Sequence, residues 1–208
     1  MAANSLQELF VEELRDMYDG EKRLIKALPK MAKAASSDEL QEALTEHLHV
    51  TEEQVSRLEQ VFDAIGARPR GKKCDGIMGI VEESNSAIQE LDGAVLDAAL
   101  IAGAQKAEHY EIASYGTLAF FAEMLGHDEA KNLLGETLEE EKEADEKLNE
   151  IAKSKVNRQA LMGGAEEGPM QARRGRASTM ATAHERTVAG RSSSPAKSRG
   201  SRSRRSSR

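Results

Sequence analysis

Apolar residues recur every three or four positions through most of residues 1–157, and this period predicts helices rather than strands. The pattern divides into four long helices at about residues 6–35, 36–65, 95–125 and 128–153, and a short helix at about 77–91. Ser36 and Glu39 have the spacing of a capping box at the start of the second long helix. Gly66 and Gly126 follow the second and third long helices as C-terminal caps, and Pro29 is expected to bend the first.

The lengths of the connections predict how these helices are joined. Short turns connect the first long helix to the second and the third to the fourth, whereas a long crossover connects the second to the third. The loop 66–76 and the short helix both belong to this crossover. This connectivity is typical of the ferritin-like four-helix bundle, so we predict an all-α fold of that kind with a short extra helix in the crossover.

Each long helix carries polar residues at the centre of its apolar face. On a helical wheel, the neighbours that fall within about 40° of Glu108 are Ile101, Ala104, Ile112, Tyr115, Ala119 and Ala122. The same construction on all four helices gives Glu21 in the first, His47 and Gln54 in the second, Glu108 and Glu111 in the third, and Glu141 and Asp145 in the fourth. The separation is 33 residues both from Glu21 to Gln54 and from Glu108 to Glu141, which predicts one common height in the bundle.

Carboxylates buried together repel one another and cost several kcal/mol each unless a partner compensates them. One explanation is a structural ion pair, for which Lys106 and His109 are the nearest candidates to Glu108. The other is a multivalent cation, and a site of carboxylates with imidazole suits iron or manganese, as one ion or two. Four helices that each aim a polar group at the same layer favour the cation. A metal-free bundle with a satisfied polar core stays a third interpretation.

Other polar residues have two interpretations each. Glu46 and His49 form a Glu-x-x-His motif, but His49 lies about 160° from the core face, so we expect it at the surface. Tyr18 and Tyr115 are near the polar layer, where they either support metal ligands or simply pack. Cys74, beside two lysines, is either a mildly activated thiol or an inert loop cysteine.

The net charge of −7 combines two segments of opposite sign. Residues 158–208 contain 12 basic and 3 acidic residues, whereas residues 1–157 contain 17 basic and 33 acidic ones. Residues 191–208 are almost entirely Ser, Arg, Gly and Pro, so they cannot bury enough apolar surface to fold. We therefore predict a bundle at 1–157 and a disordered basic tail at 158–208, which has nucleic acid or an acidic partner as candidate ligands.

The chain also resembles a known family. The stretch from Glu108 to Tyr115 (EHYEIASY), with Asp16-Met17-Tyr18 and Glu21 before it and Glu140, Glu141 and Asp145 after it, resembles the YciF/YciE-like proteins. These are bacterial stress-associated proteins of the ferritin-like superfamily, related in fold to rubrerythrin. The resemblance implies a homodimer and a metal site between helices, with Glu21, Glu108 and Glu141 as direct ligands and Glu111 paired to Glu108.

The chain departs from a complete di-iron pattern, which has Glu-x-x-His on the second and fourth long helices. Thr51 and Gln54 stand at those positions in the second helix, and Glu141 and Ala144 in the fourth. His47 and Asp145 are the candidates to replace the missing ligands. The expected chemistry is peroxide or oxygen reduction, and the alternative is a non-enzymatic interaction protein with a structural metal or none. One cysteine and no secretory or membrane-spanning segment predict a cytoplasmic protein.

Overall fold

The structure, a computed structural model, describes residues 4–166, and all regular elements in that part of the chain are helical. The elements are α1 (Leu6–Ala34), α2 (Asp38–Ala64), α3 (Asp75–Glu90), α4 (Gly93–Met124), α5 (Asp128–Ile151), a π-helical turn (Ala152–Val156) and α6 (Asn157–Glu166). The all-α prediction is confirmed. The four long helices and the short helix start and end within a few residues of their predicted positions.

The long helices form a ring in which α1 packs on α2, α2 on α5, α5 on α4 and α4 on α1. The crossover helix α3 lies outside the ring and packs against α1 and α4. This is the predicted ferritin-like arrangement, in which two helical hairpins face each other and the crossover runs along one side. Helix α1 continues through Pro29 to Ala34.

The helix ends have identifiable causes. Gly66 and Gly126 have positive φ angles of 68° and 75° directly after α2 and α4, as helix-terminating glycines do. The predicted capping box at Ser36 is wrong. Helix α2 begins at Asp38, and its N-cap residue Ser37 makes no side-chain capping bond. The buried carboxylate of Asp97 on α4 instead accepts hydrogen bonds from the Ser36 and Ser37 amides, at 2.8 and 3.0 Å, and from the Ser36 hydroxyl at 2.7 Å.

Two apolar clusters fill the interior, and a polar layer separates them on every long helix. One cluster contains Leu24, Leu28, Leu40, Leu44, Leu100, Ala104 and Leu148. The other contains Phe10, Leu14, Leu58, Phe62, Tyr115, Leu118 and Leu134. Between them in sequence lie the core-facing polar residues of α1, α2, α4 and α5. The bundle therefore holds its polar side chains at mid-height, where apolar packing at both ends shields them from solvent.

The segment before α3 is fastened to α1 by backbone hydrogen bonds. The Lys72 amide donates to the Arg15 carbonyl at 3.0 Å, and the Cys74 amide donates to Oδ2 of Asp19 at 2.8 Å. Cys74 is buried at the N-terminus of α3, where its sulfur accepts a hydrogen bond from the Ile77 amide at 3.5 Å. Burial raises the pKa of the Cys74 thiol, which favours a structural cysteine over an activated thiol.

The predicted boundary after residue 157 falls inside helix, because the π-helical turn leads directly into α6, which ends at Glu166. Ala160, Leu161 and Met162 favour helix and extend it into the first residues of the predicted tail. The remainder of that tail, residues 167–208, lies outside the described residues. Within residues 4–166, no helix is both long and apolar enough to cross a membrane.

Candidate metal centre

Four of the predicted residues come together at the centre of the bundle. His47 from α2, Glu108 and Glu111 from α4, and Glu141 from α5 each offer one ligand atom, and these atoms lie within 4.8 Å of one another. His47 Nε2 is 3.3 Å from Oε1 of Glu108 and 3.9 Å from Oε2 of Glu141. The three glutamates are at most 2% exposed, and the His47 side chain is 12% exposed. Such a set of oxygen and nitrogen donors can hold a divalent cation.

Glu21 lies at the edge of this cluster. Its side chain is fully buried on α1, and its Oε1 accepts a hydrogen bond from the hydroxyl of Tyr115 on α4. Besides burial, repulsion from Glu21 helps to raise the pKa of the neighbouring Glu111. Tyr115 therefore supports a candidate ligand, whereas Tyr18 does not, since its hydroxyl donates to the exposed Glu59 at 2.7 Å.

Gln54 contacts the cluster through its amide group. Its Nε2 donates to Oε1 of Glu141 at 2.5 Å and to Oε2 of Glu140 at 3.1 Å. Glu140 in turn accepts two hydrogen bonds from the Arg57 guanidinium, at 2.7 and 2.8 Å. Gln54 contacts Glu141 directly, and Glu141 shares the cluster with Glu108, so these three residues lie in one layer.

The remaining predicted residues lie elsewhere. Asp145 is one turn beyond Glu141 and outside the cluster, where it accepts hydrogen bonds from Gln105 at 3.1 Å and Asn149 at 3.2 Å. His109 is 68% exposed and lies 3.5 Å from Asp145, and Lys106 pairs with Glu83 at 2.5 Å. Neither residue pairs with Glu108, so these two candidates for a structural ion pair are wrong; the basic residue beside Glu108 is His47, at 3.3 Å.

His49 is a surface residue, as predicted, with 71% of its side chain exposed. The helical period of α2 separates it from His47 because residues two apart point to different sides of a helix. Only His47 of this pair reaches the core.

The electrostatics of the cluster follow from burial. Burial raises the pKa of Glu21, Glu108 and Glu111 well above the ordinary glutamate value, and repulsion from neighbouring carboxylates raises it further. Burial also lowers the pKa of His47, against the attraction of Glu141. Without a cation, ionisation of these three carboxyl groups is therefore disfavoured, because water and salt cannot compensate the charge there.

The donors present could hold a metal ion. Six oxygen atoms of this polar layer are buried without a hydrogen-bond partner among the described residues: Glu21 Oε2, Gln54 Oε1, Glu108 Oε2, both oxygens of Glu111, and Glu141 Oε2. Leaving a buried polar atom unpaired costs about 1–3 kcal/mol, so six in one place require an explanation. A cation coordinated by carboxylates and one imidazole would satisfy them together.

A small cavity of about 10 Å³ borders His47 and Glu108. Its other walls are mostly apolar and come from α1, α3 and α4, including Leu24, Ile80 and Ala107. A volume of this size has room for roughly one water molecule. The crossover helix α3 therefore forms part of the wall beside the cluster.

Arg57 and Glu140 are polar residues near the site that the helical period does not identify, although Glu140 belongs to the stretch that carries the family resemblance. Glu140 precedes Glu141 in the chain, and Arg57 follows Gln54 by three residues. Both residues are therefore neighbours of predicted site residues on their helices, and this spacing could have identified them. Arg57 was missed because its long side chain reaches the layer from the edge of the apolar face.

Similar proteins support the fold and the family. Residues 5–161 match the family described as "Domain of unknown function (DUF892)". Protein YciF of Escherichia coli strain K12 is 45% identical over 162 residues, which cover 77% of this chain and 98% of that protein. The crystal structure of this E. coli stress protein covers 74% of this chain and 99% of its own, with a TM-score of 0.72.

Two further solved structures are similar. YcfI from Rhodopseudomonas palustris is 46% identical, covers 70% of this chain and 94% of its own, and has a TM-score of 0.68. A Xanthomonas campestris protein at 23% identity covers 78% of this chain and 99% of its own; its TM-score of 0.61 supports the fold alone. The family match and the identity to YciF together show that this chain belongs to the DUF892 family and is a homologue of the stress protein YciF.

Proposed function

We propose that this protein is a ferritin-like bacterial stress-response protein that holds iron or manganese, as one ion or two, at the mid-height of its bundle. The ligands in this proposal are His47, Glu108, Glu111 and Glu141, with Glu21 and Gln54 as further oxygen donors at the edge. The observation that carries the proposal is the convergence of six buried, unpaired oxygen atoms on the layer that also contains His47. Asp145, outside this cluster, is not part of the proposed site.

A bound iron or manganese ion would supply the redox chemistry for reducing peroxide or dioxygen. The carboxylates of the chain hold the ion, the apolar clusters exclude bulk water, and the Tyr115 hydroxyl holds Glu21 in place. The small cavity at His47 and Glu108 suits an oxidant close to water in size. The reducing electrons must come from another molecule, since Cys74, the chain's one cysteine, is buried.

A structural metal is the second candidate function, and the composition of α2 favours it. Thr51 and Gln54 stand where a di-iron enzyme carries glutamate and histidine, and Gln54 donates hydrogen bonds to carboxylates through its nitrogen. Peroxide consumption by the metal-loaded protein in the presence of a reductant separates the two candidates. Turnover that disappears in Glu108→Gln supports the enzyme, whereas stable metal binding without turnover supports the structural role.

Metal analysis of the purified full chain, followed by anaerobic titration of the metal-free protein with Fe²⁺ and Mn²⁺, tests the proposal. Glu108→Gln should sharply lower metal occupancy while the fold survives, because Gln has nearly the same shape and relieves charge repulsion. Glu123→Gln is a matched control on α4, since Glu123 is exposed and pairs with Lys131 at 3.2 Å. Wild-type protein that stays metal-free in excess Fe²⁺ and Mn²⁺ contradicts the proposal.

The proposal includes a homodimer. Ala113, Thr117, Phe120 and Met124 form an exposed, mostly apolar stripe on α4, with Phe120 58% and Met124 63% exposed. A helix that is apolar on its outer face as well is usually covered by a partner, and a two-fold axis would bury the stripe against its copy. Sedimentation of the full chain should give a dimer, and Phe120→Glu should give a monomer.

Two parts of the functional prediction rest on the sequence alone. The cytoplasmic location is proposed from the single cysteine, which cannot form an internal disulfide. Nucleic-acid contact by the basic tail is proposed from the seven basic and no acidic residues in 191–208. Duplex DNA binding that falls steeply with salt in the full chain, and is absent from a chain ending at Glu166, would support the tail as an arm for nucleic acid.

A further inference from the structure

Arg57 is a largely buried cation on α2, one turn beyond Gln54, with only 11% of its side chain exposed. Its guanidinium binds Glu140 through two parallel hydrogen bonds, from Nη1 to Oε2 at 2.7 Å and from Nη2 to Oε1 at 2.8 Å. Nη1 also donates to the Thr137 hydroxyl at 2.8 Å. Two-pronged contacts of this kind are strong and highly directional. They fix the Glu140 carboxylate at the interface between α2 and α5.

The fixed Glu140 carboxylate determines which way the Gln54 amide points. The oxygen and nitrogen of an amide are nearly equal in size, so hydrogen-bond partners decide its orientation. Oxygens of Glu140 and Glu141 both face the amide nitrogen of Gln54, at 3.1 and 2.5 Å. The amide oxygen therefore points away from them, and it is buried without a partner among the described residues.

The contacts run from Arg57 through Glu140 and Gln54 to Oε1 of Glu141. The other oxygen of Glu141, Oε2, is left unpaired and lies on the side of His47, 3.9 Å from its Nε2. We propose that Arg57 and Glu140 are positioning residues, which fix the Gln54 amide and through it turn Glu141 Oε2 toward the bound metal. This inference rests on the proposed function, in which Glu141 is a metal ligand.

The experiment measures Co²⁺ affinity and the visible absorption of the Co²⁺-loaded full chain. Glu140→Gln replaces the anion that Arg57 grips and should weaken Co²⁺ binding by about 10- to 100-fold, as the loss of a residue that orients a ligand typically does. Its absorption bands should also shift, because a reoriented Glu141 changes the ligand field. Glu136→Gln is the matched control, since Glu136 contacts the same arginine at 3.3 Å but is 61% exposed and does not contact Gln54.

A double-mutant cycle separates positioning from simple stabilisation of the α2–α5 interface. If Glu140 acts through the Gln54 amide, Glu140→Gln should cause little further loss of Co²⁺ affinity in a Gln54→Ala background. Full additivity would contradict the route through Gln54. Arg57→Lys keeps the positive charge but loses the two parallel hydrogen bonds to Glu140, so it should also weaken Co²⁺ binding. It provides a second variant if Glu140→Gln does not fold.

The outcomes distinguish this inference from the proposed function. If Glu140→Gln matches Glu136→Gln in affinity and spectrum while Glu108→Gln loses the metal, the positioning role is overturned and the metal site stands. If wild-type protein binds no Co²⁺, Fe²⁺ or Mn²⁺, both are overturned.

Discussion

The Tyr115 hydroxyl donates a hydrogen bond to Oε1 of Glu21, which joins the centre of α4 to the centre of α1. Both side chains are fully buried, and the other oxygen of Glu21 has no partner among the described residues. This hydrogen bond thus gives a partner to one of the two Glu21 oxygens, in a place that water cannot reach. It also leaves the second oxygen for a cation.

Removing the hydroxyl should therefore be costly. Tyr115→Phe is expected to lower the free energy of unfolding of the metal-free protein by about 1–3 kcal/mol, the usual cost of leaving a buried acceptor unpaired. Tyr18→Phe is the control, because its partner Glu59 is exposed and water can replace the lost bond. Urea unfolding of both variants measures the difference, and an equal loss in the two would contradict the buried role of Tyr115.

The two histidines of α2 should behave differently. His47→Ala removes the imidazole beside Glu108 and Glu141 and should weaken metal binding by at least about 10-fold. His49→Ala should leave affinity unchanged and alter stability by less than about 0.5 kcal/mol, since its ring is exposed. Metal titration of both variants tests this, and a larger effect from His49 would show that the core-facing side of α2 is misassigned.

The docking of α3 is tested by two glycines near its start. A Cβ on Gly76 would lie 2.5 Å from Cε2 of Tyr110, whose hydroxyl is held by Asp16 at 2.9 Å, so Gly76→Ala should destabilise the protein by about 1–3 kcal/mol. Gly79→Ala would meet no atom within 4 Å, and it should stabilise the helix by about 0.5–1 kcal/mol. Thermal unfolding of both variants measures whether each substitution raises or lowers stability. Unchanged stability in Gly76→Ala would show that α3 is not packed this tightly.

The sequence was sufficient to predict the fold and the polar layer, because both follow from helical period. Core-facing polar residues on four helices needed only the phase of each helix, and the 33-residue separations predicted one height for them. The helical period did not predict the contacts that long or exposed side chains make. Asp145 shares the face of Glu141 but lies one turn away and pairs with Gln105 and Asn149 instead.

At Ser36, a tertiary contact forms in place of the capping box that the local sequence predicts. Its spacing to Glu39 matched a capping box, yet the Asp97 carboxylate on a distant helix takes both the amide and the hydroxyl of Ser36. No local pattern marks Asp97 as this partner, because it lies 61 residues away in the chain.

The stability of the metal-free protein should fall as pH rises. Between the ordinary glutamate pKa of about 4.3 and the raised pKa values of Glu21, Glu108 and Glu111, the folded protein keeps protons that the unfolded chain has lost. The free energy of unfolding therefore decreases across that interval. Glu111→Gln removes one such group, so its stability should fall less steeply with pH.

Urea unfolding of chelator-treated protein between about pH 5 and pH 8 measures this slope. His47 acts in the opposite direction, since its lowered pKa means that its contribution recovers as pH rises through about 6.5. Because His47 is present in both proteins, the difference between wild type and Glu111→Gln reports on Glu111 and on the carboxyl groups that it repels. Equal slopes would mean that Glu111 is ionised at all these pH values.

The central claim is that a cation takes the place of protons among the buried carboxyl groups, and calorimetric titration of the metal-free full chain with Mn²⁺ tests it most directly. Titrations in two buffers of different ionisation enthalpy give both the affinity and the number of protons released. The account predicts saturable binding with release of protons near neutral pH, because burial and repulsion between neighbouring carboxylates raise the pKa of Glu108 and Glu111. Two results would contradict it. One is that wild-type protein binds no Mn²⁺, and the other is that Mn²⁺ binding releases no protons and is unchanged in Glu108→Gln.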